Sequence, residues 1–136
     1  MFLRSKIEWV YFKRGEREAL MLITKKWMDR LTGPYRSSGM FRCLAESQSL
    51  DSISSKVILL IDETKVTILF LNFFQTKVID HLTYERTAIE EEQVTLGGGL
   101  SVIWRFSTGS KHWRFRIIKK IIPLGDEQRE FLMQLE

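Results

Sequence analysis

The segment VILLIDETKVTILFLNFF (Val57–Phe74) gives the clearest indication of the fold of this 136-residue chain. It contains two apolar, β-branched runs, VILLI (Val57–Ile61) and VTILFLNFF (Val66–Phe74), on either side of the polar tetrapeptide DETK. Such runs favour strands, and a short polar break between them is typical of a hairpin turn. The sequence therefore predicts two antiparallel strands joined by a tight turn at Asp62–Lys65.

Five further strands and a closing helix are predicted around this hairpin. The strands are expected at Met40–Glu46, Lys77–Leu82, Thr87–Leu96, Leu100–Phe106 and Trp113–Ile118. Glycine and polar residues predict turns at Asn72–Thr76, Gly97–Gly99 and Ser107–Lys111. Pro123 and Gly125 end the last strand, and Asp126 is the expected N-cap of a helix that runs to Glu136.

The first 38 residues are predicted to form a helical extension, and residues 39–136 the main domain. Apolar residues recur there at the three- and four-residue spacing of an amphipathic helix, at Leu20, Ile23, Trp27 and Leu31. Gly33-Pro34 ends this helix. The apolar stripe fits docking on the sheet, pairing with a second copy of the chain, or contact with a membrane surface. The pattern alone leaves these three uses open.

The composition is that of a globular protein, and the charge is unevenly distributed along the chain. Apolar residues make up 44% and charged residues 28% of the chain, values typical of a globular rather than a disordered protein. The net charge of +4 divides into about +6 over residues 1–45, −5 over residues 46–96 and +3 over residues 97–136. An anionic partner is therefore expected to bind the two basic ends of the sequence.

Cysteine content and apolar run length predict the compartment. The single cysteine, Cys43, allows no intrachain disulfide, which favours a reducing compartment. Charges interrupt the N-terminal stretch MFLRSKIEWVYFK, so no signal peptide is expected. The longest uncharged apolar run, Val66–Phe74, is too short to span a bilayer as a helix. The protein is therefore predicted to be cytoplasmic and, at most, in peripheral contact with a membrane surface.

No catalytic, metal or cofactor site is predicted. His81 and His112 are expected to be ordinary strand residues, since neither has the neighbours of a nucleophile–base pair. One cysteine and two distant histidines are too few for a metal centre. Gly97–Gly99 lacks the context of a phosphate-binding loop, and Glu90–Glu92 are interpreted as charges that protect an exposed strand edge.

A basic patch is the candidate binding site. On the strand WRFRII, the side chains of Trp113, Phe115 and Ile117 are expected to point inward and those of Arg114 and Arg116 outward. The neighbouring strand and the ends of this strand contribute further basic residues. The candidate patch therefore comprises Arg105, Lys111, Arg114, Arg116, Lys119 and Lys120. An ordinary solvated face explains the same pattern. The inward aromatics argue against nucleic acid, which needs exposed rings for stacking.

The second half of the chain combines an approach to a strand at Tyr84–Ile89, a GGGL turn leading into SVIWRF, a Gly109 turn, WRFRI and a closing helix. With seven predicted strands, residues 40–136 resemble the bacterial pleckstrin-homology-like (PH-like) domains. This resemblance implies a mainly β fold, a seven-stranded antiparallel barrel or sandwich capped by a C-terminal helix. The first interstrand loop, ESQSLDSISS, lacks the lysines and arginines with which eukaryotic pleckstrin-homology domains bind phosphoinositides.

We therefore expect a non-enzymatic binding or scaffold module whose ligand is another protein. The alternative is peripheral binding to anionic membrane surfaces through the basic patches. Homo-oligomerisation through the N-terminal helix is a further expectation, and the sequence names no cofactor.

Overall fold

The structure, a computed structural model, describes residues 23–135. Within this range the chain is mainly β, with two short helices and seven strands. The helices are α1 (Lys25–Thr32) and α2 (Glu127–Met133). The strands are β1 (Phe41–Ser47), β2 (Lys56–Ile61), β3 (Lys65–Leu71), β4 (Val78–Glu85), β5 (Glu90–Leu96), β6 (Ser101–Thr108) and β7 (Lys111–Ile118). Short 3₁₀ turns occur at Arg86–Ala88 and Ile122–Leu124.

All seven strands form one antiparallel sheet in the order β4-β3-β2-β1-β7-β6-β5. The prediction of a mainly β chain with seven strands and a C-terminal helix is therefore confirmed. Of the predicted N-terminal helix, Lys25–Thr32 is helical, whereas Leu20 and the residues before it lie outside the described residues.

The predicted turn at Asp62–Lys65 is confirmed, and the Asp62 side chain holds it. Its Oδ1 accepts hydrogen bonds from the backbone N–H of Thr64 (2.8 Å) and of Lys65 (2.7 Å). Burial acts to raise the pKa of Asp62, but these hydrogen bonds and the Lys65 charge outweigh it, so the pKa is lowered from its ordinary value.

Several strand boundaries differ from the prediction. Strand β4 continues to Glu85 instead of ending at Leu82. Strand β6 extends to Thr108 and β7 begins at Lys111, so the predicted loop at Ser107–Lys111 shortens to Gly109–Ser110.

The end of β3 and the start of β5 also differ. Strand β3 ends at Leu71, because the Asn72 Oδ1 accepts hydrogen bonds from the backbone N–H of Thr76 (2.8 Å) and Lys77 (3.0 Å) and closes a turn. Phe73 and Phe74 therefore lie in an exposed loop instead of a strand. Strand β5 begins at Glu90 rather than Thr87, since Arg86–Ala88 form a 3₁₀ turn.

We expect Asp62→Ala to lower the free energy of unfolding by about 1 kcal/mol near neutral pH, because the turn loses its acceptor. A carboxylate whose pKa is lowered by folding stabilises the protein above its unfolded pKa of about 3.9 and loses that effect as the pH falls through its folded pKa. The gap between wild type and Asp62→Ala should therefore narrow in acid. Urea unfolding at about pH 6 and at a series of lower pH values measures how this gap changes as the carboxylate becomes protonated. The control is Asp62→Asn, which keeps a hydrogen-bond acceptor but does not titrate. The difference in unfolding free energy between Asp62→Asn and Asp62→Ala should therefore not narrow in acid. A wild-type gap that stays constant with pH would contradict the prediction.

The sheet curls so that its two halves face each other across an aromatic core. The ring centroids of Tyr84 on β4 and Trp113 on β7 lie 6.4 Å apart, although three strands separate β4 from β7 in the sheet. The α2 residue Phe131 packs edge-on against Trp104, with centroids 6.0 Å apart. Trp113, Phe115 and Ile117 are all buried here, as the alternation in β7 predicts. The core thus lies between the two halves, with α2 at its margin.

Helix α1 covers the other face of β1–β3. Its buried side chains, Trp27, Met28 and Leu31, pack against the outward-facing residues Leu44, Ile58, Leu60, Leu69 and Leu71. The Trp27 Nε1–H also donates a 2.7 Å hydrogen bond to the carbonyl of Gln75 in the β3–β4 turn. The described part of the amphipathic helix therefore docks on the sheet of its own chain. Strands β2 and β3 are buried on both faces for this reason, which explains their unbroken apolar runs.

Gln128 of α2 closes the gap between β1 and β7. These strands pair only at Glu46–Arg116 and Ser47–Phe115, and the same register continued would pair Leu44 with Ile118. At Leu44 and Ile118 the two strands are not paired, and the fully buried side-chain amide of Gln128 bonds to both strands instead. Its Oε1 accepts from the Leu44 N–H (2.7 Å), and its Nε2 donates to the carbonyls of Leu44 (2.9 Å) and Ile118 (2.8 Å).

A buried arginine joins both helices to β1. The Arg42 Nη2 lies 2.6 Å from Asp29 Oδ1 on α1 and 2.8 Å from Glu127 Oε2 on α2. Its Nη1 donates to the Thr32 hydroxyl at 3.1 Å. Asp126, the predicted N-cap of α2, occupies that position but makes no capping hydrogen bond through its side chain.

Candidate binding face

The outer face of β6 and β7 brings together three of the six predicted basic residues. The register pairs Arg105 directly with Arg114, and Arg116 follows two residues along β7 opposite Ile103. Arg105 and Arg114 are exposed, and Arg116 is half-buried. Because alternate residues of a strand share a face, all three guanidinium groups lie on the side opposite the aromatic core. We call the outward surface of β5–β7 the open face, since α1 covers only β1–β3.

The three lysines of the predicted patch lie elsewhere. Lys111 begins β7 at the β6–β7 hairpin. Because alternate residues of a strand share a face, Lys111 belongs to the face of Trp113 and not to that of Arg114. Lys119 and Lys120 follow the other end of β7, so at ~3.3 Å per residue Lys119 is roughly 26 Å from Lys111. Lys120 Nζ is 3.9 Å from Asp126 Oδ1. The structure therefore divides the predicted patch into an arginine group on the open face and lysines at its two ends.

Neutral amides and one carboxylate surround the arginines. Arg105 Nη2 donates to Gln93 Oε1 at 2.6 Å, and Arg114 Nε donates to Gln48 Oε1 at 2.8 Å. Arg116 Nη1 lies 4.0 Å from Glu46 Oε1. Among residues 23–135, Arg105 and Arg114 form no ion pair with an acidic side chain. The amides thus orient the two guanidinium groups without neutralising them.

An open cleft of about 720 Å³ lies over this face, between the β1–β2 loop and the β6–β7 hairpin. Arg105 and Arg114 form part of its wall, together with Ser49, Ser107 and His112. Its volume falls within the range of about 300–1,000 Å³ typical of ligand-binding clefts. The β1–β2 loop, which the sequence assigned to no site, is therefore one of its walls.

A hydrogen-bonded cluster at the hairpin end of the cleft was missed by the sequence reasoning. The Ser107 hydroxyl lies 3.1 Å from Glu91 Oε1 and 2.9 Å from His112 Nδ1. Glu91 reaches it from a β-bulge between Glu90 and Gln93, with a backbone φ of 56°. Simple strand alternation does not predict such a bulge. The Glu-Glu-Glu run and the Ser-His pair across a hairpin were the signals that could have suggested the cluster.

The hydrogen bonds of this cluster do not form a catalytic relay. An ionised carboxylate only accepts, so Ser107 donates to Glu91 and accepts from His112 Nδ1–H. In a nucleophile–base–acid triad the base accepts the hydroxyl proton and the carboxylate orients the imidazole. Here both the carboxylate and the imidazole contact the hydroxyl, and the carboxylate does not orient the imidazole.

The glutamate run on β5 has two roles that the sequence analysis did not separate. Every residue of β5 is exposed, and this strand is an edge of the sheet. Glu92 Oε2, however, accepts a 2.8 Å hydrogen bond from the indole N–H of the buried Trp104. The bulge therefore sends Glu91 to the open face and Glu92 toward the core.

Exposed apolar side chains collect near Lys119 and Lys120. Leu100 is 73% exposed and Ile122 is 82% exposed. Leu100 is adjacent in space to Lys119, whose backbone N–H donates to the Leu100 carbonyl at 2.8 Å. We call Leu100, Ile122 and the two lysines the lysine end.

Neither a metal-binding cluster nor a membrane-crossing helix is found within residues 23–135. No group of three or more His, Cys, Asp or Glu side chains is arranged there to hold a metal ion. No helix in that part of the chain has the length and apolarity needed to cross a bilayer.

No protein-family model and no curated protein matches the chain. The resemblance to PH-like domains therefore depends on the order of strands, turns and helix alone.

Proposed function

We propose that this chain is a PH-like domain that acts as a non-enzymatic binding module for another protein in the cytoplasm. The fold assignment is supported by seven antiparallel strands followed by a helix that packs at the margin of the core. The single cysteine supports the compartment.

The observation that carries the functional proposal is the unequal covering of the sheet. Helix α1 buries the outer face of β1–β3, whereas the open face retains exposed, un-neutralised arginines beside a cleft. Exposed charge that the protein itself does not pair is available to a partner of opposite charge.

A protein segment fits this face better than nucleic acid. Groups that can donate and accept hydrogen bonds, Gln48, Gln93 and Ser107, lie beside the two exposed arginines. The aromatic side chains of β6 and β7, Trp104, Phe106, Trp113 and Phe115, are all buried and offer no ring for base stacking.

Peripheral binding to anionic membranes is the second candidate function, and the lysine end favours it. Lysines beside exposed aliphatic side chains suit the boundary between lipid headgroups and acyl chains. Each lysine near such a surface contributes about 1 kcal/mol of binding free energy. Two lysines and two apolar residues would give weak, salt-sensitive association.

Two doubly substituted proteins distinguish protein binding from membrane binding. One reverses two positive charges on the open face, and the other reverses two at the lysine end. A random peptide library selected against the wild type should yield peptides that contain an acidic residue. In fluorescence anisotropy, Arg114→Glu/Arg116→Glu should abolish their binding and Lys119→Glu/Lys120→Glu should retain it.

The same proteins are sedimented with vesicles of phosphatidylcholine, with and without phosphatidylserine, over a salt series. Failure to select any peptide, or peptides that bind Arg114→Glu/Arg116→Glu equally well, contradicts the protein-binding proposal. Salt-sensitive binding to anionic vesicles that disappears only in Lys119→Glu/Lys120→Glu would establish the membrane alternative. Absence of vesicle binding at low salt would exclude it.

A further inference from the structure

Two arginines face each other directly across neighbouring strands on the open face. Arg105 on β6 and Arg114 on β7 are register partners in an antiparallel pair. Side chains at such positions start about 5 Å apart, and like charges directly opposite each other destabilise a sheet. A repulsive pair at the wall of a cleft indicates an anion that binds between the two groups.

The hydrogen bonding of the pair leaves most of its donors unused. A guanidinium carries five N–H donors. Within residues 23–135, each of these side chains makes one hydrogen bond, Arg105 to Gln93 and Arg114 to Gln48. The two glutamines hold the guanidinium groups from opposite sides. Paired, planar donors of this kind match the oxygens of a phosphate or carboxylate group.

The neighbouring row of the sheet limits the charge of the ligand. The next register pair on the same face toward the hairpin is Ser107–His112, about 7 Å along the strands. Glu91 contacts that Ser107 hydroxyl, and Asp51 Oδ2 accepts from the His112 backbone N–H at 3.3 Å. Both carboxylates also line the cleft. They repel a second anionic group at this end, so the site suits one oxyanion rather than a run of acidic residues.

We propose that Arg105 and Arg114 together bind one oxyanion group of a docked protein segment, either a phosphorylated or a carboxylate side chain. This inference rests on the proposed function, because it names the group by which the partner is anchored.

Thermal unfolding with inorganic phosphate tests the anion site without a peptide. Phosphate at about ten times its dissociation constant should raise the melting temperature of the wild type by about 4 °C relative to chloride at equal ionic strength. Because phosphate stabilises any folded protein somewhat, the decisive quantity is the difference from Arg105→Gln/Arg114→Gln. This double variant should lose the specific rise. Without phosphate it should melt at or above the wild-type temperature, since the repulsion is gone.

The control is Arg129→Gln, which removes one exposed arginine of α2 and should keep the full phosphate response. A wild-type rise no larger than that of the double variant would overturn the proposal. So would a double variant that melts well below the wild type without phosphate, because the pair would then stabilise the fold through contacts of its own.

Peptides with the selected sequence distinguish the two sources of the oxyanion and separate this inference from the proposed function. Three versions are compared, with phosphoserine, glutamate or alanine at the acidic position. Tighter binding of the phosphoserine peptide identifies phosphate, and tighter binding of the glutamate peptide identifies carboxylate. Arg114→Gln should weaken the binding of the tighter of these two peptides at least tenfold, while the affinity for the alanine peptide should not change. Equal loss for all three peptides would overturn the anchor but leave the protein-binding function standing. A phosphate response without peptide binding would support the site and contradict the function.

Discussion

Replacing Gln128 with methionine is expected to lower the free energy of unfolding by about 3–4 kcal/mol, because each buried polar group left unpaired costs about 1–3 kcal/mol. Methionine keeps the length of the side chain but cannot bond to the Leu44 N–H, the Leu44 carbonyl or the Ile118 carbonyl. All three groups lie where β1 and β7 have no ladder of their own. Urea unfolding followed by circular dichroism measures the loss.

The control for this prediction is Glu130→Met, two residues later on the same helix and exposed. Surface substitutions of this kind usually change stability by less than about 0.5 kcal/mol. If Gln128→Met and Glu130→Met destabilise the protein equally and slightly, the amide does not bridge the two strands.

Trp27→Ala is expected to lower the free energy of unfolding by about 3–5 kcal/mol, the range found when a buried tryptophan is truncated. The Trp27 side chain is only 3% exposed and packs on the outer face of β1–β3. Its removal leaves a cavity under α1 and an unpaired carbonyl at Gln75. Circular dichroism is again the appropriate probe, because the substitution changes tryptophan fluorescence itself.

Two further variants divide the effect of Trp27 into its parts. Trp27→Phe keeps most of the packing but loses the hydrogen bond to Gln75, and about 1–2 kcal/mol of destabilisation is expected. Lys26→Ala, at an exposed position of the same helix, should change stability little. A loss below about 1 kcal/mol in Trp27→Ala would mean that α1 contributes little to the fold.

The strands and turns were predictable because their causes are local. The runs around DETK contain β-branched residues on both sides of a polar turn, and Asp62 supplies the side chain that closes it. The alternation of Trp113, Phe115 and Ile117 with Arg114 and Arg116 specified which side of β7 faces the core. The end of β3 was placed wrongly, since the hydrophobicity of Phe73 and Phe74 concealed the turn made by Asn72.

The binding face was predictable only in part. Outward arginines follow from alternation in one strand, but the pairing of Arg105 with Arg114 depends on how β6 and β7 align. The Glu91–Ser107–His112 cluster depends on a bulge in β5 that shifts the pairing of β5 with β6. The lysines were grouped with the arginines because they are close in sequence, whereas the length of β7 separates them in space.

The strand-forming segments, most of their turns and the inward side of β7 follow from residue propensity and the two-residue period of a strand, so they could be predicted from the sequence. Which outer face remains open, which charges meet and how the sheet is closed are properties of the tertiary structure alone. These features depend on contacts between distant residues. The amide of Gln128 reaches Leu44, 84 positions away, and α1 covers β1–β3 but not β5–β7. Local pattern specifies an element, whereas long-range packing specifies its neighbours.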